Sequence, residues 1–211
     1  MKKLLGVFLV TVMAFSLVAC GKDANEGTGN APSTEQGTTN EGEDTTQTGT
    51  ADDTQTNYGV GVALTDVKAA LAEALGENYW PNTEIPAEML TDLYGISEDM
   101  YEEYYAEMPM ISTNVDTVII VKAKEDQVTA VEDALNAYRE VMVNDTMQYP
   151  MNVGKIQASR IETFGQYVCF VQLGADTMEA SESGDEAVIA QCQQANELAL
   201  EVIENTLAKN Q

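Results

Sequence analysis

The sequence predicts an α+β domain, a two-layer sandwich of one small sheet with helices on one face, preceded by an N-terminal stretch that takes no part in it. Three observations carry this. All 9 Tyr and the single Trp of the 211 residues fall after position 57. From there, apolar runs switch between helical and strand periodicity in the order α-α-α-β-α-β-β-α. The run Val118-Ile119-Ile120-Val121 is apolar on both faces, which places it in the middle of a sheet.

Each element has its own signal. Thr65 reads as an N-cap, Asp66 as a helix start and Gly76 as the stop, with Val67, Leu71, Ala74 and Leu75 on one face. Asn78 to Pro86 carries two prolines and is expected to be irregular, with Trp80 packing inward. Ala87 to Tyr94 is a short helix ended by Gly95. Ser97 caps a helix over Glu98 to Glu107, which Pro109 ends. Val115 to Ala123 is the best strand. Glu125 to Val143 is a helix with the stripe Val128, Val131, Leu135, Tyr138 and Met142. Lys155 to Thr163 and Tyr167 to Leu173 read as two strands joined at Phe164-Gly165-Gln166, where Gly165 supplies the positive φ of a tight hairpin. Gly174 to Gly184 is a polar loop. Asp185 to Ala208 is a long helix with Val188, Cys192, Ala195, Ala199, Val202 and Thr206 on one stripe, widened by Ile189, Leu198, Ile203 and Leu207.

Residues 1–19 have the anatomy of a signal peptide. Lys2 and Lys3 precede an apolar run from Leu4 to Leu17, which is shorter than the roughly 20 residues of a membrane-spanning helix. The run ends in Leu17-Val18-Ala19-Cys20-Gly21, which resembles the bacterial lipobox. That resemblance implies cleavage before Cys20 and a diacylglyceryl group on its sulfur. Two acyl chains suffice for stable membrane attachment. The expected location is the outer face of the bacterial cytoplasmic membrane.

Residues 20–57 then form the lipidated cysteine and its linker. Gly21 to Asn57 contain no Val, Ile, Leu, Met, Phe, Tyr or Trp, and ten of these 37 residues are Thr. With nothing to bury, such a segment is expected to be a flexible tether. One domain, 58–211, follows.

Charge excludes several function classes. The chain has 35 acids, 10 bases and no His, for a net charge of −25. Without His, neither a Ser-His-Asp triad nor an imidazole-based zinc site can be built. The negative sign is opposite to a nucleic-acid footprint. The EF-hand pattern is absent and the acidic loop Asp176 to Glu186 is too loose for calcium, so no metal and no cofactor is indicated.

Further along, Leu93-Tyr94-Gly95-Ile96 precedes a Tyr-rich acidic run. Met108-Pro109-Met110, Thr113 to Asp116, the strand Val118 to Ala123 with Lys122, and Gly165, Tyr167 and Val168 follow. Together, over about residues 60–180, these resemble domain-of-unknown-function family 4358, found mostly as lipoproteins of Gram-positive anaerobes. Members often read Ala-Asp-Glu before the first strand, whereas this chain reads Val115-Asp116-Thr117. The resemblance implies domain limits and location, with no activity to carry over.

The candidate ligand-binding residues are Tyr94, Tyr101, Tyr105 and Met108, which a helical count places on one side with Tyr104 adjacent. An aromatic cleft for a sugar, peptide or cation is one reading, and plain core packing is the other. No residue stands out as catalytic. Cys169 and Cys192 read as buried thiols or, in an exported protein, as a disulfide. The function these features favour is a membrane-anchored lipoprotein with a non-catalytic domain. That domain would bind a small-molecule ligand or an envelope protein. The alternative is a carboxylate-dependent cell-envelope hydrolase.

Overall fold

The computed structural model describes residues 57–208. The expected signal peptide, Cys20 and the linker up to residue 56 lie outside the described residues. The elements are α1 (Leu64–Leu75), β1 (Thr83–Glu84), α2 (Ala87–Tyr94), β2 (Tyr101–Met108), β3 (Thr117–Ala123), α3 (Val128–Asn144), α4 (Pro150–Ala158), β4 (Arg160–Phe164), β5 (Tyr167–Gln172), α5 (Met178–Ser181) and α6 (Asp185–Leu207). The five strands form one open sheet in the order β1-β2-β3-β5-β4, with every neighbouring pair antiparallel. The α+β class is therefore correct, and β3 is the central strand.

The one-face arrangement is not. Val118 and Ile120 of β3, with Cys169 and Val171 of β5, pack against α1 and α6 through Val67, Leu71, Ala199 and Ile203. On the opposite face Ile119, Val121, Val168 and Phe170 pack against α2 and α3 through Leu90, Tyr94, Val131 and Leu135. The molecule has three layers, helix on sheet on helix. The cause is the run that marked β3 as central: a strand apolar on both sides needs a cover on both sides.

A strand also replaces the helix expected over Glu98 to Glu107. Tyr101 pairs with Ala123 and Glu103 with Lys122, so Glu102 is an extra residue, a β-bulge. Beyond the bulge Tyr104, Ala106 and Met108 share one face, while Tyr105 and Glu107 point to the other. The bulge returns Tyr101 to the Tyr104 side, where the rings meet edge to face at 5.3 Å. Aromatic residues favour this half-buried pleated setting, and Glu102 reaches Lys122 at 2.8 Å.

The strand expected from Lys155 is helix α4 as far as Ala158, and β4 starts only at Arg160. Pro150 opens that helix at its first position, where a missing N–H costs nothing. Thr65 is not a cap: Ala63 holds that position and no side chain bonds the exposed amides. The expected stripe of α6 is rotated. Asn196 and Leu200 are buried, whereas Leu198 lies outside. The loop expected over Gly174 to Gly184 contains the single turn of α5, and its first two residues are buried. Gly95 ends α2 at φ 73° and Gly165 turns the β4–β5 hairpin at φ 59°, both as expected.

Candidate functional site

At the end of the sheet where β3 begins and β5 finishes, the loops enclose a cavity of about 680 Å³. Tyr79 and Trp80 come from the segment after α1. Pro109 to Asn114 lie between β2 and β3, Met151 to Lys155 belong to α4, and Ala175 to Met178 follow β5. The size is that of small-molecule sites in general. Its mouth carries exposed apolar side chains, Met110, Ile111, Met151 and Met178.

A buried ion pair holds the cavity's inner wall. Lys155 Nζ lies 2.6 Å from Asp116 Oδ1, and both side chains are almost fully enclosed. The other carboxylate oxygen, Oδ2, accepts the backbone N–H of Ala175 at 2.9 Å and of Gly174 at 3.3 Å. These contacts tie α4, the start of β3 and the loop after β5 together. Ala175 adopts φ 48°, the single positive φ outside glycine among the described residues, and its amide thereby points at Asp116. Charge-assisted bonds of this kind are the strong ones.

On the cavity side, Lys155 Nζ sits 4.9 Å from the centre of the Trp80 ring, a cation–π arrangement. Trp80 is therefore half-buried and part of the cavity wall, rather than packed inward. Its Nε1 donates to Glu77 O at 3.1 Å, which fixes the ring's orientation. Asn152 Nδ2 donates to Thr113 O and Asn114 Oδ1 accepts from Asp116 N, so the β2–β3 loop is braced from two sides.

Gly174 makes the ion pair possible. A Cβ there would lie 2.6 Å from Cys192 Sγ and 2.9 Å from Lys155 Cγ. Gly174→Ala is expected to cost about 1–3 kcal/mol through overpacking, read as a lower urea midpoint.

Next to the cavity, Tyr79 Oη meets Tyr105 Oη at 2.7 Å and donates to Glu107 Oε2 at 3.3 Å. Lys68 closes this group on Glu107. Burial, with Glu107 beside them, raises both phenols above the ordinary tyrosine value.

The four expected ligand-binding residues do not share a face. Tyr94 is core, its ring 4.4 Å from that of Tyr138. Tyr101 and Met108 pack on the α2–α3 side, and Tyr105 lies on the α1 side with Tyr79. None of the four lines the cavity. The residues that do, Trp80, Lys155, Met151 and Met178, carried no motif. Asp116 was visible as the family's Asp before β3, without a role.

Cys169 and Cys192 are free and buried. Burial, offset in part by Lys155, pushes the Cys192 thiol from 9.0 up to about 11. A raised thiol favours the folded state below about pH 9. That stability is lost as pH rises towards 11, at up to about 1.4 kcal/mol per pH unit. Unfolding curves of Cys192→Ala are expected to show a shallower decline between pH 9 and 11 than those of the parent.

Among the described residues no three His, Cys, Asp or Glu side chains converge as a metal site requires, and no helix is long and apolar enough to cross a membrane. Fold and cavity together define an α+β domain on an open antiparallel sheet, helix-clad on both faces, with an apolar recess at one end. Residues 74–173 match the family described as Domain of unknown function (DUF4358). The match runs from the end of α1 to the residue after β5 and so includes Trp80, Asp116 and Lys155. No curated protein and no solved structure matches the chain.

Proposed function

We propose that this chain is a bacterial lipoprotein, anchored by Cys20 to the outer face of the cytoplasmic membrane, whose domain binds an apolar ligand without transforming it. The observation that carries the binding role is the recess itself. Its walls are Trp80, Tyr79, Pro109 and the side chains of Met110, Ile111, Met151 and Met178, and its one ammonium is already held by Asp116. Apolar surface of this kind gains by exchanging water for a ligand.

A neutral apolar dye such as Nile red tests the recess. Its emission is expected to rise on adding the protein. Ile111→Asp, an exposed position where substitution has little effect on folding, is expected to weaken binding roughly tenfold, or about 1.4 kcal/mol. An unchanged affinity in that variant would refute the site. Fractionating cells that carry Cys20→Ala tests the anchor: the protein is expected to leave the membrane fraction, and a variant that is processed normally and stays bound would refute lipidation.

A further inference from the structure

The recess does not end at Met151 and Met178. On their far side a second cavity of about 480 Å³ lies between α4 and the α5–α6 junction, lined by Val153, Gly154, Gln157, Val188 and Ile189 among others. The two cavities share Met151, Thr177 and Met178. Met110, Met151 and Met178 are 80%, 59% and 75% exposed, so an apolar trough with methionine walls is left open along the side of α4. Methionine surfaces mould themselves to the apolar face of a partner segment.

Acids predominate around the trough, where Arg139, bonded to Gln157 O, and Lys155 are the nearby bases. Asp176 lines the first cavity and Asp185 the second, and Glu179, Glu182 and Glu186, close to them in the chain, are exposed. From Ile161 to Ala208 the chain has nine acids and no Lys or Arg. The single base lining either cavity, Lys155, is taken up by Asp116. Repulsion among these acids is relieved by a cationic partner and worsened by an anionic one.

Resting on the binding role proposed for the recess, we infer that the trough docks a basic amphipathic helix of a partner protein, apolar face on the methionines and Lys or Arg side chains against the acidic rim. A helix suits the place because α4 and α6 already form two sides of it, and a third helix packs on such a pair at the usual 8–10 Å.

The test uses the full chain, with Trp80 as reporter because it is the chain's single Trp and lines the trough. The probe is a Trp-free Leu/Lys peptide of about 15 residues, four helical turns, with all Leu on one face. Its counterparts are the same peptide with Glu for Lys, and a Leu/Lys peptide of scrambled order. The amphipathic Leu/Lys peptide is expected to shift Trp80 emission to the blue and to bind at least tenfold more tightly than either counterpart. The triple variant Glu179→Gln, Glu182→Gln, Glu186→Gln is expected to remove most of that preference while leaving Nile red binding intact. Equal binding of the Glu or scrambled peptide overturns the inference. So does binding to phosphatidylcholine vesicles in place of the peptide. Nile red uptake without peptide binding overturns the inference and leaves the recess as a small-molecule site, and failure of both probes overturns the recess as well.

Discussion

Replacing Lys155 by methionine is expected to destabilise the domain by about 3–5 kcal/mol, the usual cost of leaving one partner of a buried ion pair without the other. Asp116 is fully enclosed and would be left with two backbone N–H groups and no cation beside it. Urea unfolding would show a lower midpoint at an unchanged slope. Adding Asp116→Asn to Lys155→Met is expected to recover most of the loss. The buried charge is gone, and the amide oxygen still accepts from Ala175. A double variant as unstable as the single one would mean that Lys155 acts through packing of its stem, not through its charge.

Asn196→Ala is expected to cost about 2–6 kcal/mol, although no charge is involved. Asn196 is wholly buried on α6 and bonds two main chains. Its Oδ1 accepts from Leu173 N at 2.8 Å, and its Nδ2 donates to Ala158 O at 2.9 Å. Removing the amide strands both groups away from water, at about 1–3 kcal/mol each. Asn196→Leu is expected to be as harmful, since a larger apolar side chain fills the space but satisfies neither bond. Thermal unfolding of the two variants side by side checks this, and recovery in the leucine variant would refute it.

Asn196 also shows where the sequence stops being legible. Ala195 does pack against the core, but apolar periodicity passes over its neighbour Asn196, because a buried amide that serves the backbone is polar. The same blindness hid Lys155 and Asp116. A charged pair inside a fold leaves no local pattern, since its partners lie 39 residues apart. The bulge at Glu102 misled in a different way. One extra residue moved Tyr101 into phase with Tyr104, and the period of two was replaced by spacings that imitate a helix.

What could be read was what local chemistry decides. The glycines at 76, 95 and 165 ended or turned elements where expected. The stripe Val131-Leu135 found its face, and β3 declared itself central. That last observation already implied two covering layers, and a one-faced sandwich was at odds with it. For the recess, Met108-Pro109-Met110 and Thr113 to Asp116 marked the correct loop, but as a family likeness and not as a wall. The other three walls come from segments distant in the chain.

The beginning of the described domain is fastened to its end. Gly59 N donates to Leu207 O at 2.7 Å, and Tyr58 Oη to Glu204. Gly59 also lies so close to Tyr167 that a Cβ would collide with the phenol. The domain is therefore nearly a closed loop of chain, with its seam beside the C-terminal end of α6. α6 spans 23 residues, or about 34 Å, and its other end stands at the trough. A circularly permuted version, sealed at that seam by a few added residues and opened in the exposed segment 143–147, would keep every layer and the whole recess. The first and last residues of the described domain thus lie at the pole remote from the recess.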